Sequence, residues 1–141
     1  MKKNLRDIKK INLKKIHSDK GSVLHCLKRS ENSFIKFGEV YISTIKSKKI
    51  KAWKFHKKAN LNLFIIVGKI KIVIVDKNNN FHINILDTIN INRVFIPKGT
   101  IFGFQNMNNK ESLILSISDI VYDKKESLSY NINDYEFNWL K

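Results

Sequence analysis

Apolar and polar residues alternate along most of this chain in short runs that end at glycine, proline or asparagine-rich breaks. SVLHCLK (22–28), GEVYISTI (38–45), IKAWKFH (50–56), LNLFIIV (61–67), KIKIVIVD (69–76), FHINIL (81–86), RVFIP (93–97) and SLILSISD (112–119) are rich in β-branched and aromatic residues. A period of two sends side chains to two faces in turn, so each run predicts a β-strand. Gly21, Gly38, Gly68, DKNNN (76–80), Pro97-Lys98-Gly99 and NMNNK (106–110) separate the runs. Asp and Asn tolerate left-handed backbone, which makes DKNNN a hairpin turn. KKESLSYNINDYEFNW (124–139) departs from the pattern and is expected to form an irregular tail or a short helix. So many apolar strands need closed edges, and a jelly roll or related barrel closes them. The expected fold is all-β, a jelly-roll barrel with that short tail.

The chain has 141 residues, 43% of them hydrophobic, which is enough for one core and little for a second, so one domain over 1–141 is expected. Apolar runs such as LFIIV (63–67) fall far short of the ~20 residues of a membrane helix. The opening MKKNLRDIKKINLKKIHSDK is charged throughout and lacks the apolar stretch of a signal peptide. Cys26 is the single cysteine, which excludes an internal disulfide and a thiolate metal cage. No membrane partner and a cytoplasmic location are expected. The net charge of +15 raises a nucleic-acid reading. Residues 1–20 hold eight Lys/Arg against two Asp, or +6, leaving +9 for the other 121, so the charge is spread out. The aromatics near the lysines keep strand-core spacing and form no stacking platform, and nucleic acid is not the expected partner.

The densest chemistry lies in KIKAWKFHKK (49–58), where five lysines and His56 surround Trp53 and Phe55. On a strand, Lys54, His56 and Lys58 share one face and Trp53, Phe55 and Lys57 the other. A lysine crowded by cations in a partly desolvated pocket can serve as a base, and a histidine moves protons near neutral pH. Lys54 and His56 are the candidate catalytic pair, with Lys51 and Lys58 suited to an anionic substrate. Glu39, Tyr41 and Ser43 alternate on the preceding predicted strand and are candidates for the same pocket. Asn62 and Gln105 are candidates for hydrogen bonds to substrate hydroxyls. Each of these also has a plain reading as a solvated or packing position. Tyr122, Trp53, Phe55, Phe102, Phe104 and Trp139 are read as packing residues, and His17, His25 and His82 as structural.

IKAWKFHKK…NLNLFIIVGKIKIVIVD, RVFIPKGTIFGFQ and YEFNW, in that order, resemble the short cupins of the dTDP-4-dehydrorhamnose 3,5-epimerase and dTDP-sugar 3,4-ketoisomerase group. The resemblance starts near HSDKGSVLHCLKR, runs to Trp139 and covers about nine-tenths of the chain. The positions of the first cupin motif fall on Lys54, His56, Leu61 and Gly68, and those of the second on Pro97, Gly99, Phe102 and Asn106. Of the four that hold a metal in metal-binding cupins, only His56 has a suitable donor, so no metal and no cofactor is expected. The resemblance implies a nucleotide-sugar substrate, proton abstraction beside a 4-keto group, a place in surface polysaccharide biosynthesis and a homodimer. Carried across, the epimerases' catalytic histidine falls on Lys54, their enolate-stabilising lysine on Leu61 and their tyrosine on Leu115. The ketoisomerases' His-x-His-Lys-Lys falls on Lys54-Phe55-His56-Lys57-Lys58. The alternative is a cupin that binds a sugar nucleotide or another anionic ligand without transforming it.

Overall fold

The structure, a computed structural model, describes residues 9–140. Part of the reading of the N-terminal segment, and the ends of the expected 1–141 domain, lie outside the described residues. The strands are β1 (Lys9–Asn12), β2 (Lys15–Ser18), β3 (Gly21–Leu24), β4 (Glu39–Ile45), β5 (Ile50–His56), β6 (Leu61–Val67), β7 (Lys69–Val75), β8 (Phe81–Asp87), β9 (Asn92–Ile96), β10 (Ile101–Asn106), β11 (Ser112–Ser118) and β12 (Ser127–Ser129). A one-turn 3-10 helix, Ile132–Asp134, follows. One sheet has the order β1-β9-β6-β11-β4, the other β12-β5-β10-β7-β8, and β2 pairs with β3 as a separate hairpin.

The two five-stranded sheets share one core. Leu61, Leu63 and Ile65 of β6, Val94 and Ile96 of β9 and Ile114 of β11 meet Ile70, Ile72 and Ile74 of β7, Leu86 of β8 and Phe102 of β10. The alternation read from the sequence is what points these side chains inward, and burying each contributes about 1.5–3 kcal/mol. DKNNN forms the β7–β8 hairpin: Asp76 accepts hydrogen bonds from the Asn78 and Asn80 amides, and Asn79 takes a φ of 61°.

Three elements differ from expectation. SVLHCLK supplies only the last three residues of the four-residue β3, which pairs with β2, a lysine-bearing strand whose exposed residues show no apolar pattern. IFGFQN forms β10 although Gly103 interrupts its apolar run. A Cβ on Gly103 would stand 2.7 Å from Ala52 Cβ and 3.1 Å from Trp53 Cε3, so the strand needs glycine to pass β5. The tail is more ordered than expected. β12 pairs with β5, Asn131 caps the 3-10 turn, and Trp139 packs on Trp53 at a ring-centroid distance of 5.2 Å.

β5 carries a bulge. Phe104 lies opposite Lys51 and Phe102 opposite Lys54, so Ala52 and Trp53 together face the single residue Gly103. The extra residue resets the alternation. Trp53 points outward into a cluster with Val73, Val75 and Trp139, while Lys51 and Lys54, three apart, both point between the sheets.

Candidate active site

The two sheets enclose a cavity of about 690 Å³. β5 contributes Lys51, Lys54 and His56 to its wall. Phe102 and Phe104 of β10 and Leu61 and Leu63 of β6 form an apolar floor. Glu39, Tyr41 and Ser43 of β4 and Ser116 and Ser118 of β11 stand on the opposite sheet. Tyr122, Glu126, Ser129 and Tyr130 close the side where the chain leaves β11.

Glu126 organises this wall. Its Oε1 accepts hydrogen bonds from the amides of Lys58 (2.9 Å) and Ala59 (2.7 Å), which sit in the bend after β5. Its Oε2 lies 2.9 Å from His56 Nδ1, and the carboxylate is buried. Burial pushes the Glu126 carboxyl up, but the hydrogen bonds from His56, Ala59 and Lys58 and the attraction of the imidazole outweigh it and hold the group below its ordinary range. A carboxylate only accepts, so Nδ1–H of His56 donates to it. Phe102 stacks on the ring at 6.0 Å and 15° and fixes its plane. Glu126 and Phe102 therefore hold the His56 ring in one orientation.

Lys54 Nζ donates to Ser129 Oγ at 3.4 Å, and Lys51 Nζ to the Thr44 carbonyl at 3.1 Å. No salt bridge joins Lys54 to Glu39 among the described residues. Across the cavity, burial raises the Tyr41 hydroxyl, a hydrogen bond with Ser116 opposes this, and the charges of Glu39 and Glu126 raise it further. Tyr41 thus holds its proton through neutral pH and presents a donor from the sheet facing His56.

Lys51, Lys54, His56, Glu39 and Tyr41 are brought together. Three other candidates are placed elsewhere, which corrects the expectation that they line the pocket. β5 ends at His56 and the chain bends, carrying Lys58 into an open groove beside Lys36 and Lys98. Gln105 shares the outward face of β10 with Gly103. Asn62 points out of β6, where Nδ2 donates to the Ser33 carbonyl and Oδ1 accepts from the buried Arg93, fixing the segment before β4 to the sheet. Leu61 lines the cavity, whereas Leu115 points to the outside of β11. Tyr122, read as a packing residue, is largely exposed at the rim. Glu126 was not among the candidates, because it stands in the non-alternating tail, 70 residues from its histidine. Among the described residues, no three His, Cys, Asp or Glu side chains converge as metal ligands.

Two antiparallel sheets closed on a cavity whose polar groups come from β4, β5, β11 and the tail define a cupin. The chain belongs to the family described as FdtA, WxcM-like, C-terminal, whose model matches residues 6–138. No curated protein matches the sequence. Among solved structures it is similar to a dTDP sugar isomerase from Desulfovibrio desulfuricans G20, at 25% identity and TM-score 0.86 over 94% of this chain and 90% of that one. A dTDP-4-dehydrorhamnose 3,5-epimerase from Bacillus anthracis strain Ames, with TDP and PPi bound, matches at 19% identity and TM-score 0.82 over 96% of this chain and 86% of that one. QdtA, a sugar 3,4-ketoisomerase from Thermoanaerobacterium thermosaccharolyticum in complex with TDP, matches at 17% identity and TM-score 0.74 over 91% and 90%. The fold and the kinship read from the sequence both stand.

Proposed function

We propose that this chain is an isomerase of a nucleotide-linked 4-keto-deoxyhexose, working by proton abstraction beside the ketone without a metal. The observation that carries the reading is the His56–Glu126 pair inside the cavity. A histidine whose Nδ1–H is taken by a buried carboxylate presents Nε2 as a base, and proton abstraction beside a ketone needs such a base. Lys54, one step along the same wall, places a cation where the enolate oxygen develops charge, and Tyr41 on the facing sheet returns a proton. Lys51 suits the diphosphate and Glu39 a sugar hydroxyl, while the apolar floor of Leu61, Leu63 and Phe102 suits a deoxygenated carbon. The family, and relatives that include a dTDP sugar isomerase and a ketoisomerase with TDP bound, support this substrate class. Such an enzyme belongs in the cytoplasm, supplying sugars for surface polysaccharide.

Leu61 and Lys54, at positions where the resemblance expects a lysine and a histidine, favour a second reading as a binder of sugar nucleotides without turnover. Incubation with a dTDP-4-keto-6-deoxyhexose in deuterated water separates the two. The isomerase incorporates deuterium at a carbon next to the ketone, seen by NMR. Saturable dTDP binding with no exchange on any common 4-keto sugar rejects turnover and leaves the binder.

A further inference from the structure

Outside the cavity, the loops at the His56 end of the barrel form a second concavity. It is an open groove of about 740 Å³, with Lys36, Lys58 and Lys98 around an apolar floor of Ile35, Pro97 and Ile120. That volume lies in the range of sites for small organic ligands. The three lysines come from separate segments, and each segment is tied down close to its lysine. Lys36 stands between Ser33, which is bonded to Asn62 and Arg93, and Gly38, whose amide donates to the Ser118 carbonyl at 2.8 Å. Lys58 follows β5, with its own amide on Glu126 Oε1 at 2.9 Å. Lys98 has its amide on Asn60 Oδ1 at 2.9 Å, and the next amide, of Gly99, donates to the His56 carbonyl at 2.7 Å. Asn60 is fixed in turn by Asp119, whose carboxylate oxygens accept from its amide and its Nδ2, both at 2.8 Å.

Asp119 is the one acid among the described residues that line the groove, and its oxygens are spent on that frame. Among the described residues, the ammonium groups of Lys36, Lys58 and Lys98 have no hydrogen bond and no ion pair. Three cations on anchored stems around one concavity repel one another, and a concave wall of one sign focuses its field on an entering anion. We propose that this groove is a second anion site, separate from the cavity, for a small molecule that carries a diphosphate. The lysines take the phosphates, and the floor of Ile35, Pro97 and Ile120 gives an organic portion a surface to pack on. The site also lies next to the proposed chemistry. Lys58 and Ala59 grip Glu126 from the bend that carries Lys58 into the groove, and Glu126 holds His56.

The inference is independent of the catalytic reading and is tested by NMR titration of the 15N-labelled full chain with inorganic diphosphate in about 0.15 M NaCl. The amides of Lys36, Lys58 and Lys98 are expected to shift together along one saturable curve, and to do so again after dTDP has filled the cavity. Lys36→Ala and Lys98→Ala are each expected to weaken that curve by about threefold, and together by about tenfold. All three lysines are exposed, so the circular dichroism spectrum stays unchanged. Lys77→Ala, an exposed lysine in the β7–β8 turn, and Lys51→Ala, in the cavity, leave the groove curve where it was. Further dTDP that enters the groove more tightly than diphosphate identifies a nucleotide as the occupant, and no gain over diphosphate identifies the inorganic ion. Failure of dTDP to bind the cavity counts against the isomerase and binder readings alone, and the Lys51→Ala arm then separates the two sites. No groove shift, shifts confined to Lys51 and Lys54, or equal weakening by Lys77→Ala overturns the proposal. A glutamate-rich peptide that binds where diphosphate does not points to an acidic protein and rejects the small-molecule site.

Discussion

The base proposed at His56 is directed by Glu126, which no spacing in the sequence could pair with it. Replacing His56 with Ala is expected to lower the deuterium exchange rate by about 10²–10⁴-fold, the usual worth of a positioned base. Glu126→Gln is more discriminating. The amide oxygen can keep the bonds from Lys58 and Ala59, but the amide NH2 then faces Nδ1 and favours the tautomer with its proton on Nε2. The expected outcome is a fall in kcat with KM little changed, together with a tautomer switch read from the imidazole 15N shifts. An unchanged kcat would leave Glu126 a purely structural link. His56 itself was legible because it stands among lysines on an alternating strand, at a position of the first cupin motif. Its carboxylate was not, because pairs between distant segments are set by how the tail folds back.

At the level of elements, the strands were legible wherever β-branched residues alternated, and the bulge in β5 was not. A strict period of two puts Lys51 on the face of Trp53, yet the bulge opposite Gly103 brings Lys51 and Lys54 to the same side. A glycine inside an apolar run was the available signal, since it marks a place where backbones pass closely. Gly103→Ala drives a Cβ into Ala52 and Trp53 and is expected to cost about 1–3 kcal/mol of stability, measured as a lower denaturant midpoint at constant slope. The same geometry separates two lysines that the sequence treated alike. Lys51→Ala is expected to weaken dTDP binding by about tenfold, roughly 1.4 kcal/mol, while Lys58→Ala leaves it within about twofold. Equal losses from the two substitutions would return Lys58 to the site.

For the whole molecule, charge and hydrogen bonding combine into a pH dependence whose sign can be worked out. The folded state holds the Glu126 carboxyl below its ordinary range, so between that range and the folded value the unfolded chain binds more protons than the native one. The stability Glu126 confers is complete above the ordinary carboxylate range and is lost as pH falls through the lower, folded-state pKa. Asp76, held well below the carboxylate range by His82 and by its own turn, acts with the same sign, weakly because solvent screens it. Protonating carboxylates also raises a net charge that already stands at +15, and the added repulsion favours the expanded chain. Both effects therefore point to acid. The melting temperature is expected to be nearly flat from about pH 5 to about pH 8 and to fall below about pH 4.5, in a scan of thermal unfolding against pH. Salt should recover the part that comes from net charge and leave the part that comes from Glu126. In Glu126→Gln the acid limb flattens, because the variant has no proton to gain at that position. An acid limb as steep in Glu126→Gln as in the wild type would place the acid sensitivity in the charge of the whole molecule.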